Sequence, residues 1–243
     1  MEMNFIKEEK FTVQACQCYS GGYMKISSLM QSMQEIASVH VEQLGFGYGD
    51  LDKKSVYWAL SNIRVDFSEM PKWNEEIILK TWPSGCSRLI ATREFVGTGQ
   101  NNRNFFKAGS QWMILSKDSH RPKDFLRSNL GLPVGGEKIL SDKMKRLESH
   151  KNYNQAGQMY VPNSSIDLNG HVNYTEYIRW GFDILKKACQ VSDKISSLQA
   201  TYLSEVFEGD ELELLVVSDK NVSHCVLIRR PNTLDTVFLM EIS

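Results

Sequence analysis

Five consecutive residues bring a carboxylate, an amide and an imidazole into one short stretch: Asp167-Leu168-Asn169-Gly170-His171, followed by Val172-Asn173. An imidazole can deliver or orient protons near neutral pH. Asp167 can hold that ring or organise Asn169. The Asn169 amide offers a donor to a carbonyl or a water and an acceptor to a neighbour. Gly170 permits a sharp bend and a close approach of ligand to backbone. A helix is predicted to start just beyond, and its first N–H groups could point at a bound carbonyl oxygen. Donors so placed favour the negative charge that develops in acyl transfer. The same residue types also cap helices and mark turns. Spacing alone therefore leaves a capping turn and a reactive loop both open.

Other residues with chemical potential are less pointed. His40 falls on the apolar stripe of an earlier predicted helix, where a core or pocket-lining histidine is expected in preference to a second base. Gly45-Phe46-Gly47-Tyr48-Gly49 is glycine-rich but lacks the GxGxxG spacing of a nucleotide loop. The cysteines, Cys16, Cys18, Cys86, Cys189 and Cys225, are odd in number and contain no CxxC pair. That argues against a disulfide framework and against a zinc site built on cysteines. Cys16 and Cys18 would share one face of a strand.

The elements that must position the cluster repeat. A strand-like stretch over 10–19 ends at Gly21-Gly22, and Ile26, Leu29, Met30, Met33, Ile36, Ala37, His40, Val41 and Leu44 then recur at helical spacing. Ser27 or Ser28 is the expected cap and Gly45 the expected stop. Strands are predicted over 57–67, 76–82, 88–97 and 105–115. Residues 117–150 change character. They carry Pro122, Gly131, Pro133, Gly135 and Gly136 with Lys143, Lys145 and Arg146, and predict a crossover containing a short helix. A second strand (157–161), a second helix (173–188) and strands over 198–206, 211–217, 224–230 and 236–242 then repeat the plan. Asn74-Glu75-Glu76-Ile77-Ile78-Leu79 resembles Gly209-Asp210-Glu211-Leu212-Glu213-Leu214, 135 residues later. Strand, long helix, then antiparallel strands, twice over, predicts an α+β chain with two sheets wrapped around central helices. Two merely adjacent α+β domains would give the same order.

Bulk properties narrow the class. The 243 residues, 42% hydrophobic and 10% aromatic, can fill a substantial core. With 28 basic and 29 acidic residues the formal charge is -1, which argues against a nucleic-acid binder held by a general positive field. The first ten residues are charged, with no signal-peptide pattern. The longest apolar runs fall far short of the ~20 residues of a membrane span. A cytoplasmic location is expected.

Asp167-Leu168-Asn169-Gly170-His171-Val172-Asn173-Tyr174-Thr175-Glu176-Tyr177 resembles the active-site motif of the acyl-acyl carrier protein thioesterase family. Tyr202-Leu203-Ser204-Glu205 resembles its downstream catalytic glutamate segment. The first half agrees over Trp58 to Phe67, Pro71-Lys72-Trp73, Thr81-Trp82 and Ser110-Gln111-Trp112-Met113. The likeness runs from about Phe11 to the C-terminus. It implies two tandem hot-dog domains, each a long helix wrapped by an antiparallel sheet. These would be 1–128 (acyl pocket) and 151–243 (catalytic), joined by a linker over 129–150. It also implies hydrolysis of a fatty acyl thioester on the phosphopantetheine arm of acyl carrier protein, with no metal or redox cofactor.

On this resemblance the catalytic residues are Asp167, Asn169, His171 and Glu205. Some members carry a cysteine just after the glutamate; here Val206 stands there, so a thiol nucleophile is not available at that position. Water activated by Glu205 is the expected mechanism, with a Glu205 acyl anhydride as the alternative. Met30, Met33, Ile36 and Trp58 are expected to line the acyl pocket. Arg121, Lys123, Arg127, Lys143, Lys145, Arg146, Lys186 and Lys187 could steer an acidic carrier protein. A homodimer is compatible with the pattern, although two internal repeats can already complete a dimer-like unit. Competing expectations are a coenzyme A thioester hydrolase, a non-catalytic acyl-binding hot-dog protein and a hot-dog dehydratase.

Overall fold

The computed structural model describes residues 5–125, 127, 131–141, 144–150, 152–219 and 223–243. The first half comprises β1 (Lys7–Thr12), α1 (Ile26–Gln43), the short α2 (Tyr48–Asp52), β2 (Val56–Phe67), β3 (Glu76–Cys86), β4 (Ala91–Thr98) and β5 (Asn104–Ser116). The second comprises β6 (Asn154–Tyr160), α3 (Tyr174–Cys189), β7 (Ser197–Tyr202), β8 (Glu211–Asp219), β9 (Ser223–Arg229) and β10 (Thr236–Ile242).

The two halves do not form separate sheets. The strands make one antiparallel sheet in the order β1-β3-β4-β5-β2-β7-β10-β9-β8-β6. Its left five and right five strands have the same internal order, read outward from a β2–β7 seam. Along that seam Asn62 pairs with Thr201, Ile63 with Ala200 and Val65 with Leu198. Successive strand residues face opposite sides. Ile63, Val65, Leu198 and Ala200 thus join the shared core against α1 and α3. Adjacent but independent α+β domains would lack this pairing and this common core.

The repeat extends to backbone detail. Asn74 and Gly209, 135 positions apart, both take left-handed φ, 66° and 81°. Val13 exchanges backbone hydrogen bonds with Asn74 and Glu75 as Val161 does with Gly209 and Asp210. Before each long helix comes a short 3-10 turn, Ala15–Gln17 and Asn163–Ser165. A bridge then closes the loop, Cys18 to Met24 in one half and Ile166 to Val172 in the other.

Three local expectations are corrected. The first strand ends at Thr12, and Cys16 and Cys18 lie in and after the 3-10 turn, so they do not share a strand face. Helix α1 starts at Ile26 with Lys25 as its N-cap, leaving Ser27 and Ser28 buried inside the first turn. The Lys25 N–H is taken by the Gln17 carbonyl, and the helix starts two or three positions earlier than the serines suggest. Gly45, at φ 77°, does end the helix region. Finally, the described part of residues 117–150 contains no helix. Its prolines and glycines oppose one, and the outer face of the sheet supplies its partners instead. The Trp82 indole donates to the Glu137 carbonyl at 2.9 Å, and the Leu147 N–H donates to Thr201 Oγ1 at 3.1 Å. Lys143 lies outside the described residues.

Candidate active site

The loop from Ile166 to Val172 is a tight reversal. Asp167 N–H donates to the His171 carbonyl at 2.8 Å, and Gly170 N–H donates to the Asp167 carbonyl at 3.0 Å. Gly170 sits at φ 81°, a left-handed conformation that a side chain would strain. Asp167 Oδ1 also accepts the Asn169 N–H at 2.8 Å, an Asx-type turn that fixes the loop from within. Helix α3 follows with Asn173 as its cap, whose Oδ1 accepts from Thr175 N–H at 2.9 Å. Glu176 N–H is taken by the Asn173 carbonyl at 3.0 Å. Those two N–H groups are satisfied by the cap and are not offered to a bound carbonyl.

Glu205 reaches the loop from the segment between β7 and β8. Val172 N–H donates to the Val206 carbonyl at 2.9 Å, which ties the glutamate segment to the histidine loop. The Arg230 guanidinium braces the same segment from the Glu205 carbonyl and from Asp210. Glu205 Oε1 then lies 3.8 Å from His171 Nδ1. The Val206 side chain is fully buried in the core, so a side chain at that position points away from the cavity.

Two further residues converge here that the sequence did not single out. Tyr57, at the start of β2, donates its hydroxyl to Glu205 Oε1. His120, in the turn after β5, places Nδ1 2.9 Å from Glu205 Oε2 and 3.1 Å from the Tyr57 hydroxyl. Tyr57 comes from the first half and His120 from the start of the crossover, so the loop of the second half gains its neighbours from across the chain. Nothing in local spacing marks them. Only the position of β2 beside β7 brings Tyr57 to residue 205.

Asp167, Asn169, His171, Glu205 and Tyr57 all line one cavity of about 380 Å³ that runs beneath α1. Burial pushes the Asp167 carboxyl above its usual range, and the Asn169 N–H and the neighbouring His171 partly offset that rise. Burial, reinforced by the Glu205 carboxylate, pushes the Tyr57 phenol up, so it keeps its proton and remains a donor. Asn169 Oδ1 is buried with no hydrogen-bond partner among the described residues. It is an acceptor waiting for a donor. Donor atoms of His120, His171 and Glu205 lie within 4.8 Å of one another, close enough for a cation.

Of the four residues expected to line an acyl pocket, Trp58 borders the cavity. Met30, Met33 and Ile36 are instead packed into the shared core. At about 100° per residue, the stripe of α1 that faces the cavity is Gln34, Ala37, Ser38 and Val41. Ala37 and Val41 belong to the apolar stripe that periodicity picks out, and Gln34 and Ser38 extend it to the cavity, so the cavity takes one edge of that stripe. His40 is buried on the core side, with Nδ1 3.2 Å from the Arg93 guanidinium.

The first half has no second set of these groups. Aligning its loop with the catalytic one places Tyr19, Gly21 and Tyr23 where Asp167, Asn169 and His171 stand. Met24 N–H donates to the Pro71 carbonyl as Val172 N–H does to Val206, which sets Met70 opposite Glu205.

Two helix-backed antiparallel half-sheets fused at a seam define a tandem hot-dog fold. The chain belongs to the acyl-ACP thioesterase family: residues 5–128 match its N-terminal domain and residues 148–230 its C-terminal domain. Among curated relatives it is 22% identical over 242 residues to oleoyl-acyl carrier protein thioesterase 2 of Arabidopsis thaliana, covering 90% of this chain and 65% of that protein. It is 24% identical over 233 residues to a palmitoyl-acyl carrier protein thioesterase of Gossypium hirsutum, covering 90% and 56%. The chain thus spans 56–65% of the length of these two relatives. The fold matches the crystal structure of an acyl-ACP thioesterase from Bacteroides thetaiotaomicron with a TM-score of 0.82 at 23% identity, covering 98% of this chain and 96% of that one. It matches the 12:0-ACP thioesterase of Umbellularia californica with a TM-score of 0.87 at 17% identity, covering 99% and 97%.

Proposed function

We propose that the protein hydrolyses the thioester of a fatty acyl chain carried on acyl carrier protein, releasing the free fatty acid. The observation that carries this reading is the convergence of Glu205, His171, Asn169 and Asp167 on one cavity beneath α1. The acyl chain occupies the cavity along Ala37, Val41, Trp58 and Leu60. Its carbonyl lies near the mouth, by His171.

Glu205 removes a proton from water, and the water oxygen forms the new C–O bond to the carbonyl carbon. Asn169 Oδ1, otherwise unpartnered, accepts the other water proton and fixes the angle of attack. His171 donates to the oxyanion as it forms, held in place by Asp167 on one side and the Phe207 ring, 5.1 Å away, on the other. Collapse breaks the C–S bond, and the proton held by Glu205 passes to the departing thiolate. Tyr57 aims the Glu205 carboxylate by donating its hydroxyl to Oε1. With Val206 buried in the core, no thiol takes part at that position.

Arg121 and Lys123, in the turn beyond His120, are exposed beside the mouth. They suit the approach of an acidic carrier protein. Lys186 and Arg127 already pair with Asp193 and Asp124. No helix among the described residues is long and apolar enough to cross a membrane. A cytoplasmic site of action goes with this reading. The outer strands β1 and β6 are the edges through which a homodimer would form.

The test is a hydrolysis panel of acyl carrier protein and coenzyme A thioesters of matched chain length. Wild type should turn over the carrier-protein series faster. Glu205→Ala should lower turnover by ~10²-fold or more, the scale of general-base loss. Near-normal turnover in that variant would sink the assignment. Faster turnover of the coenzyme A series would move the substrate to that carrier.

A further inference from the structure

We propose that His120, His171 and Glu205 form a binding site for a zinc-class divalent cation, and that its occupancy switches hydrolysis off. The binding half stands on geometry alone; the switch rests on the function proposed above.

Three donors of the right kind meet here. Imidazole nitrogen and carboxylate oxygen are ordinary zinc ligands, at about 2.0–2.2 Å from the ion. Tetrahedral coordination at those lengths separates neighbouring ligand atoms by roughly 3.3 Å. In the structure His120 Nδ1 is 2.9 Å from one Glu205 oxygen, and His171 Nδ1 is 3.8 Å from the other. The two spacings straddle that value but run to different carboxylate oxygens, and the three donor atoms lie within 4.8 Å of one another, so the side chains must draw in by about 1 Å or more to hold the ion. The Tyr57 hydroxyl, 3.1 Å from His120 Nδ1, stands beside the fourth position.

The ligands are also held and reachable. His171 and Glu205 are fixed by the loop bonds between Val172 and Val206. His120 adopts φ 51°, a left-handed backbone that strains a non-glycine residue. Ser116 holds that turn by accepting the His120 N–H at 2.9 Å. The His120 side chain is 50% exposed, which leaves a path from solvent. A bound cation takes the Glu205 lone pair that water activation needs and ties down the His171 ring that stabilises the oxyanion. It acts as an inhibitor, not a cofactor.

The experiment titrates zinc chloride into the full chain by calorimetry, with turnover of an acyl thioester followed in parallel. One zinc per chain should bind, and inhibition should track occupancy and reverse with a chelator. His120→Ala and the size-matched His120→Gln, each checked for folding by circular dichroism, should weaken binding by about 10-fold or more, the usual scale for a lost ligand group. Cobalt reports the ligands, because a thiolate charge-transfer band would place the ion on Cys225, which lies 3.3 Å from His150 instead. That band, or affinity unchanged in both His120 variants, overturns the site. Stoichiometric binding at this site with undiminished turnover overturns the switch. Absence of any turnover in the metal-free wild type is a failure of the hydrolase reading, and the binding site is then decided by the calorimetric affinities alone.

Discussion

Asp167 serves the loop at a cost to the fold. Its carboxyl is half-buried, and desolvation raises its pKa from the usual 3.8 despite the Asn169 N–H and the His171 ring beside it. A carboxyl with a raised folded pKa is held more tightly as the acid in the native state. Its favourable contribution is full below the unfolded value and is lost as pH rises through the raised one. At neutral pH the buried carboxylate therefore subtracts stability. Asp167→Asn keeps an oxygen for the Asn169 N–H and removes the charge. Its melting temperature should exceed wild type at pH 7, and the gain should shrink as pH falls toward 3. A gain independent of pH would refute the burial argument. Turnover should fall in the same variant, because His171 loses its anionic neighbour. At this scale the sequence was legible where the chemistry is local. Asp167, Asn169 and His171 sit within five residues, and resemblance supplied Glu205. Tyr57 and His120 were not legible, because each touches Glu205 across more than 80 positions of chain.

Elements were legible where periodicity is long and failed where tertiary partners decide. Helices α1 and α3 follow their apolar stripes, but the stripe of α1 does not by itself tell its core residues, Met30, Met33 and Ile36, from Ala37 and Val41 at the cavity. The Pro- and Gly-interrupted crossover after β5 is expected to contain a short helix, and its described residues hold none. Its backbone groups are satisfied instead by the outer face of the sheet. Glu94, buried on that face, accepts from Leu140 N–H at 2.9 Å, from Ser141 N–H at 3.3 Å and from Ser84 Oγ at 2.9 Å. Gly109 leaves room for the same segment; a Cβ there would come within 2.4 Å of Ser141 N and 2.8 Å of Leu140 C. Glu94→Ala should cost about 3 kcal/mol, since it leaves buried donors unmet. Gly109→Ala should cost about 1–3 kcal/mol, because the clashing atoms are backbone and cannot swing aside. Both should speed proteolysis within residues 131–150 while leaving far-ultraviolet circular dichroism intact. The double variant should cost less than the sum, because each change loosens the same segment.

The repeat was visible in the sequence as a whole, through the 135-residue likeness of two strand openings, but its consequence was not. Similar halves can sit side by side or share a sheet, and only the pairing of β2 with β7 distinguishes the two. That seam carries a buried polar chain on the sheet's outer face. Leu147 N–H donates to Thr201 Oγ1 at 3.1 Å, and that hydroxyl donates to Asn62 Oδ1 at 2.7 Å. Asn62 Nδ2 then donates to Gln111 Oε1, and Gln111 Nε2 to the Ser141 carbonyl, at 3.0 and 2.9 Å. One side chain thus ties the second half, the first half and the crossover together. The shared core and this chain predict a single cooperative unfolding transition for both halves in denaturant. Asn62→Ala strands the Thr201 hydroxyl and one end of Gln111, at a cost of about 2–4 kcal/mol. The loss should appear as a lower midpoint with an unchanged denaturant slope, since the same surface is still exposed in one step. Two separated transitions in wild type would mean that the seam does not couple the halves. The catalytic loop would then have to hold Tyr57 and His120 without it.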